Sequence, residues 1–188
     1  MSRIAIFASG SGTNAITIIT NFANSTNSVA TIYCNKPTAE IVQKAPTYGV
    51  PVTLFTRSEF YETNMILQQL QENQIDTIVL AGFLWLIPPQ IIAAFPKRII
   101  NIHPSLLPKY GGKGMYGMNV HNAVIQNREK ESGITIHIVD EQYDNGNILF
   151  QAQCTVEPSD TPESLSKKIQ TLEHKHFSRV IAEYLDTL

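Results

Sequence analysis

The chain has two cysteines, one tryptophan, charged residues at only 16% of its 188 positions and no run of lysine or arginine. Each scarcity excludes something. Cys34 and Cys154 stand alone, with neither CxxC spacing nor a disulfide framework, so the sequence suits a reducing compartment, with the cytoplasm as default. A net charge of −2 with scattered basic residues leaves no electrostatic footprint for a nucleic acid or an acidic membrane, and neither partner is expected. Long apolar runs are missing too. The stretch from Ile4 to Ala8 stops at Ser9, too soon for a signal h-region or a membrane span. HExxH spacing is absent, and His174 and His176, two positions apart, fall on different helix faces, so no metal site is expected. No GxGxxG dinucleotide fingerprint fits either.

What is present is a 43% hydrophobic content arranged in short bursts. Apolar runs at Ile4 to Ala8, Val29 to Cys34, Val52 to Phe55, Ile78 to Ala81 and Ile99 to Ile102 alternate with stretches of helical spacing. The first helix carries Ile16, Ile19 and Phe22 on one side. A second is expected from Ala39 to Tyr48 and a third from Glu59 to Gln71. Such alternation predicts βαβ units and an α/β fold: a single Rossmann-like domain over residues 1–188, with a mostly parallel sheet and helices on both faces. Beyond His103 the pattern is less regular. A glycine-rich stretch from Gly111 to Gly117 precedes a helix near Asn119 to Asn127. Strands follow near Gly133 to Val139 and Ile148 to Val156. A last helix opens at Thr161 with Pro162 and Glu163.

Ligands of open α/β sheets bind beyond the carboxyl ends of the strands, so the loops there deserve the search. Ser9-Gly10-Ser11-Gly12-Thr13-Asn14 joins the first strand to the first helix, where glycines and a helix N-terminus suit a phosphate; a tight turn capped by Thr13 or Asn14 is the plain alternative. In Ile99-Ile100-Asn101-Ile102-His103-Pro104 the strand period places Asn101 and His103 on one side, an amide beside an imidazole fit to bind an oxyanion. Past the alternating strand that contains His137, an acidic turn carries Asp140 and Asp144. Asp144 could orient His103 and raise its pKa, or it could belong to an ordinary solvated turn. Glu173 lies four residues from both Ile169 and Phe177, beside the apolar stripe of the last helix, where it could meet a substrate or pair at the helix edge.

With SGSGTN at Ser9 to Asn14, LAGF at Leu80 to Phe83, NIHPSLLPKY at Asn101 to Tyr110 and Asp144-Asn145-Gly146, the chain resembles the 10-formyltetrahydrofolate-using formyltransferases over nearly its whole length. The loop and the segment Gln170-Thr171-Leu172-Glu173-His174 resemble the members that act on glycinamide ribonucleotide. The basic C-terminal domain of the methionyl-tRNA enzymes and the regulatory domain of the similar hydrolases have no counterpart in the sequence. The resemblance implies a purine-biosynthetic transferase with 10-formyltetrahydrofolate as co-substrate and no metal, a monomer or homodimer. It implies a catalytic trio of Asn101, His103 and Asp144 and an acceptor site of Ser11, Gly12, Thr13, Asn14 and Glu173. The implied folate site comprises Leu84, Trp85, Leu86, Ile87, His137, Val139 and Asp140. The N-terminal half would then hold the ribonucleotide and the C-terminal half the folate and the chemistry. Rival readings are a sugar-nucleotide N-formyltransferase and a nucleotide-binding module without turnover. Two features depart from the common pattern: Trp85 stands where many members carry an arginine near the folate tail, and Gly111 to Gly117 is richer in glycine. That stretch reads equally as a lid or a surface loop. His121 aligns with a later family histidine.

Overall fold

Five of the six residues in Arg3–Ala8 (β1) are buried, as a strand covered on both faces requires. β1 pairs in parallel with Ser28–Cys34 (β2) on one side and Thr77–Leu80 (β4) on the other, and β2 pairs in parallel with Val52–Leu54 (β3). Parallel pairing needs crossovers, and helices supply them. The computed structural model describes residues 1–188, which pack as two compact units, Met1–Ile100 and Asn101–Leu188.

In the first unit the helices are shorter than their apolar spacing predicts. Thr13–Phe22 (α1) buries Ala15, Ile18, Ile19 and Phe22, so the stripe begins at Ala15 and Ile16 is only half-buried. The expected second helix is Ile41–Lys44 (α2) followed by a tighter 3-10 turn, Ala45–Tyr48, because Pro46 has no N–H to continue the ladder. The third divides into Arg57–Tyr61 (α3) and Met65–Glu72 (α4). Thr56 and Glu59 close a capping box at the start of α3. At the break, the Thr63 hydroxyl donates to the Glu59 carbonyl at 2.8 Å and accepts from the Met65 N–H at 3.2 Å, so a side chain competes with the backbone for helix bonds. Pro89–Ala94 (α5) is a short helix the spacing does not announce, opened by proline at its first position. The core is aromatic: Phe7 stacks on Tyr33 at 4.9 Å, with Phe55, Phe60 and Phe83 around it.

Ile99–His103 (β5) carries the chain into the second unit. There follow Met118–Gln126 (α6), Glu131–Ile138 (β6), Ile148–Thr155 (β7), antiparallel to β6, and Pro162–Leu185 (α7). Gly133 lets these two strands approach, since a Cβ there would lie 2.1 Å from the Ala152 carbonyl oxygen. Thr161 caps α7, whose buried stripe includes Leu165, Ile169, Phe177 and Ile181. The sheet has seven strands in the order β3-β2-β1-β4-β5-β6-β7, mostly parallel, and the fold is α/β.

Candidate active site

Alternation along β5 and β6 sets up the second unit's polar cluster. Asn101 and His103 share a side of β5, and the Asn101 amide donates to His137 Nε2 at 3.0 Å. The His137 Nδ1–H in turn donates to the Ile138 carbonyl at 3.0 Å, so Nε2 carries the lone pair. Since an amide has two hydrogens, this arrangement leaves Asn101 one for a ligand. Asp144 enters from the turn between β6 and β7 at a left-handed φ of 53°. The turn closes only around glycine, because a Cβ at Gly146 would lie 1.7 Å from the Ile138 carbonyl oxygen. Asp144 Oδ1 stands 3.4 Å from His103 Nδ1 and 3.7 Å from His137 Nε2, and Oδ2 accepts from the Gly112 N–H at 2.9 Å. The other ring nitrogen of His103, Nε2, faces the Tyr110 carbonyl oxygen at 2.8 Å and must therefore carry a hydrogen.

Burial decides the charges here. The side chains of His103, His137 and Asp144 are only 5%, 2% and 10% exposed. Desolvation pushes the His103 pKa down; Asp144 and the Tyr110 carbonyl push it up, but the net value lies below that of an ordinary imidazole. The expectation that Asp144 raises it holds for that one contribution and fails for the sum. Burial also works against the Asp144 carboxylate, yet His103 and the Gly112 N–H hold its pKa below the usual range, the backbone amide making the shorter contact; His137 Nε2, which accepts from Asn101, has no hydrogen to offer it. Burial favours the uncharged imidazole and Asp144 favours the imidazolium, so the pair is poised to take up a proton at Nδ1.

The loop carrying NIHPSLLP is stitched down by residues that no motif singles out. The Thr135 hydroxyl donates to the Ser105 carbonyl at 2.7 Å and accepts from the Leu107 N–H at 2.9 Å, and the Gln151 amide spans to Leu107 O and Thr135 Oγ1.

In the first unit, Ser11 and Gly12 precede α1, and Thr13 and Asn14 form its first turn. Gly12 has φ 74°, and a Cβ there would meet Ile41 at 2.4 Å. No side chain caps α1 and its first turn holds no acidic residue, so its amide end suits an anion. Lys44, which sequence reasoning missed, donates to the Ser11 carbonyl at 3.3 Å, its ammonium being paired with the Glu40 carboxylate at 2.6 Å.

The formyl transferase profile matches residues 2–181. The chain belongs to the formyl transferase family. A phosphoribosylglycinamide formyltransferase of Bacillus subtilis is 35% identical over 192 residues, covering 98% of the chain and 95% of the relative. A chloroplastic protein of the same name from Arabidopsis thaliana is 39% identical over 95% of the chain. The chain spans only 64% of that plant relative and 59% of a second one from Vigna unguiculata. The solved phosphoribosylglycinamide formyltransferase of Bacillus halodurans superposes with a TM-score of 0.87 at 38% identity, covering 97% of the chain and 95% of the other.

Among the residues that the formyltransferase resemblance assigns to folate, Leu84 is 45% exposed and Ile87 is 2% exposed, a core side chain. Their loop is tied to the loop after β1, since the Leu84 N–H donates to Ser9 Oγ at 3.4 Å and the Ser9 N–H to the Gly82 carbonyl at 3.2 Å. The Leu86 carbonyl accepts from the Tyr61 hydroxyl at 2.9 Å. Trp85 joins the aromatic cluster through Phe55 and Phe83, with the Arg57 guanidinium 5.6 Å over its ring. Asp140 organises the turn that bears Asp144: it accepts from the Gln142 N–H at 2.8 Å and the Asn145 amide at 3.1 Å, and Val139 precedes it half-buried. Glu173 lies half-buried on α7 between buried Ile169 and Phe177.

Proposed function

We propose that the protein transfers the formyl group of 10-formyltetrahydrofolate to the amine of glycinamide ribonucleotide, a step of purine biosynthesis. The observation that carries this reading is the polar set of half-buried Asn101 with the withdrawn side chains of His103, His137 and Asp144, in a chain that aligns with 95% of a bacterial phosphoribosylglycinamide formyltransferase. The neutral amine attacks the formyl carbon; the new C–N bond forms as the carbonyl electron pair moves onto oxygen. The free hydrogen of the Asn101 amide meets that oxyanion. One proton leaves the acceptor nitrogen for His103 Nδ1, and Asp144, already ionised, stabilises the imidazolium that results. The same proton then passes to N10 of the folate as its bond to the formyl carbon breaks. A relay of this kind contributes about 10²–10⁴-fold, and holding both substrates together contributes more.

The acceptor phosphate sits at the N-terminus of α1 among Ser11, Gly12, Thr13 and Asn14, and Glu173 takes the ribose; the uncapped helix end supports the phosphate assignment. Leu84 to Ile87, His137, Val139 and Asp140 take the folate. Two free thiols suit a reducing cytoplasm.

The test is loss of the formyl donor, followed by absorbance with 10-formyl-5,8-dideazafolate, in the presence and absence of glycinamide ribonucleotide. Acceptor-dependent loss supports the reading. Loss without acceptor makes the protein a hydrolase, and loss only with a nucleotide-linked amino sugar moves the acceptor assignment.

A further inference from the structure

His103 has two ring nitrogens, and the reaction above uses only Nδ1. What holds the other is Tyr110, a residue with no part in that chemistry. Its carbonyl oxygen accepts the Nε2–H at 2.8 Å, and it does so from a left-handed backbone with φ 56°, a conformation that costs a non-glycine residue about 1–2 kcal/mol. Something must hold it there. On the N-terminal side, the Ser105 hydroxyl grips the Lys109 carbonyl at 2.6 Å. On the C-terminal side, Gly111 is pressed so close to Leu107 that a Cβ would lie 2.6 Å from that side chain. The tyrosine ring itself borders an open cleft lined by Leu106, Val124 and Ser132 among others, so packing alone does not fix it. Its hydroxyl does: it donates to Glu129 Oε1 at 2.9 Å and also meets the Asn127 side chain, and Lys109 Nζ lies 3.2 Å from both oxygens of the Glu129 carboxylate. Glu129 is anchored in turn, its N–H donating to the Val124 carbonyl at 3.2 Å at the end of α6.

We propose that Glu129 and Tyr110 form a positioning strap for His103: the carboxylate holds the phenol, the phenol holds the left-handed turn, and the turn's carbonyl holds the imidazole Nε2–H and so aims Nδ1 at Asp144. The choice of tautomer by a backbone acceptor is a general property of histidine sites. Neither strap residue touches substrate in this account. The inference rests on the reading of His103 Nδ1 as the proton carrier. The titratable groups that face His103 are Asp144 and His137, and both remain in place in every variant below.

The test combines Tyr110→Phe, Glu129→Gln and Glu129→Ala with two readouts: 15N NMR of the His103 ring in the free protein, and the pH profile of kcat with KM measured separately. Wild type shows the hydrogen on Nε2. Tyr110→Phe, which breaks the strap but keeps the Glu129 charge, mixes the tautomers, moves the His103 titration to lower pH, and lowers kcat about tenfold at unchanged KM, the scale of a lost orienting contact. Glu129→Ala does the same, and Glu129→Gln, which still offers an acceptor oxygen, recovers part of the loss. An unchanged His103 spectrum in Tyr110→Phe overturns the strap, as does a shift confined to the Glu129 variants, which would show a remote charge effect. A spectral change in all three with kcat unaltered upholds the strap and instead sinks His103 as the proton carrier.

Discussion

The two ends of the proposed reaction are built from different materials. The loop before α1 works through backbone: a glycine at φ 74°, an uncapped helix end, and a lysine ammonium at its edge. The cluster around His103 works through side chains largely withdrawn from water, with an amide, two imidazoles and a carboxylate in one contiguous polar set. Backbone dipoles hold a permanent charge without changing state. Buried side chains can change charge during a reaction because burial balances their charged and neutral forms. Binding and chemistry should therefore fail separately when each site is damaged.

The sharpest break is His103→Ala. It removes the proton carrier and should lower kcat about 10³-fold while the KM for the acceptor stays within a few-fold. Steady-state kinetics on a variant with unchanged circular dichroism decides it, and near-normal turnover refutes the assignment. Asp144→Asn should lower kcat about 10²-fold, because the imidazolium formed at Nδ1 loses its counter-charge. It also carries a signature. In the proposed reaction the uncharged His103 takes the proton, so kcat rises as pH climbs through the His103 pKa. Asp144 is a group that raises that pKa, so its loss moves the rising limb to lower pH. A limb that stays put or moves upward contradicts the pairing.

Gly12→Ala probes the other material. A Cβ at φ 74° costs about 1–2 kcal/mol of strain and would push Ile41 aside. The N-terminal turn of α1 should shift, raising the acceptor KM about tenfold, equivalent to about 1.4 kcal/mol, with kcat nearly untouched. A drop in kcat at constant KM would erase the division of labour.

The same contrast explains what was legible beforehand. SGSGTN is a local signal: strand, glycine turn and helix start lie within one stretch of chain, and the structure places them so. The period of two in β5 likewise sets Asn101 and His103 side by side without further help. Thr135 and Gln151, by contrast, meet the NIHPSLLP loop across 28 and 44 residues, and neither spacing nor composition points to them. The net direction of the His103 pKa was not legible for a related reason. A carboxylate close by can be guessed from the acidic turn, but desolvation, the larger influence, depends on how the whole unit packs. Thr63 and Pro46 divided two helices whose apolar spacing ran straight through them, local hydrogen-bond chemistry overriding periodicity.

The smallest effect is also the one that treats the two units most unequally. All five histidines lie beyond Ile100. Burial lowers the pKa of His103 and of His121, whose ring is 3% exposed with Nδ1 lacking a hydrogen-bond partner. A group whose folded pKa is depressed binds fewer protons when folded than unfolded, so its contribution to stability is complete above the unfolded value near 6.5 and is lost as pH falls toward the folded one. Acidification from pH 7 to 5 should therefore loosen residues 101–188 first. The lowered carboxylates of the first unit, Glu40 and Glu59, titrate below the ordinary value of 4.5 and are still ionised in that window. Hydrogen exchange read by segment, corrected for the intrinsic pH dependence of the amide rate, measures the difference. Protection should fall in α6 and in the strand pair β6 and β7 while β1 and β4 keep theirs. Equal losses in both units would mean that the buried imidazoles are not what sets the acid response.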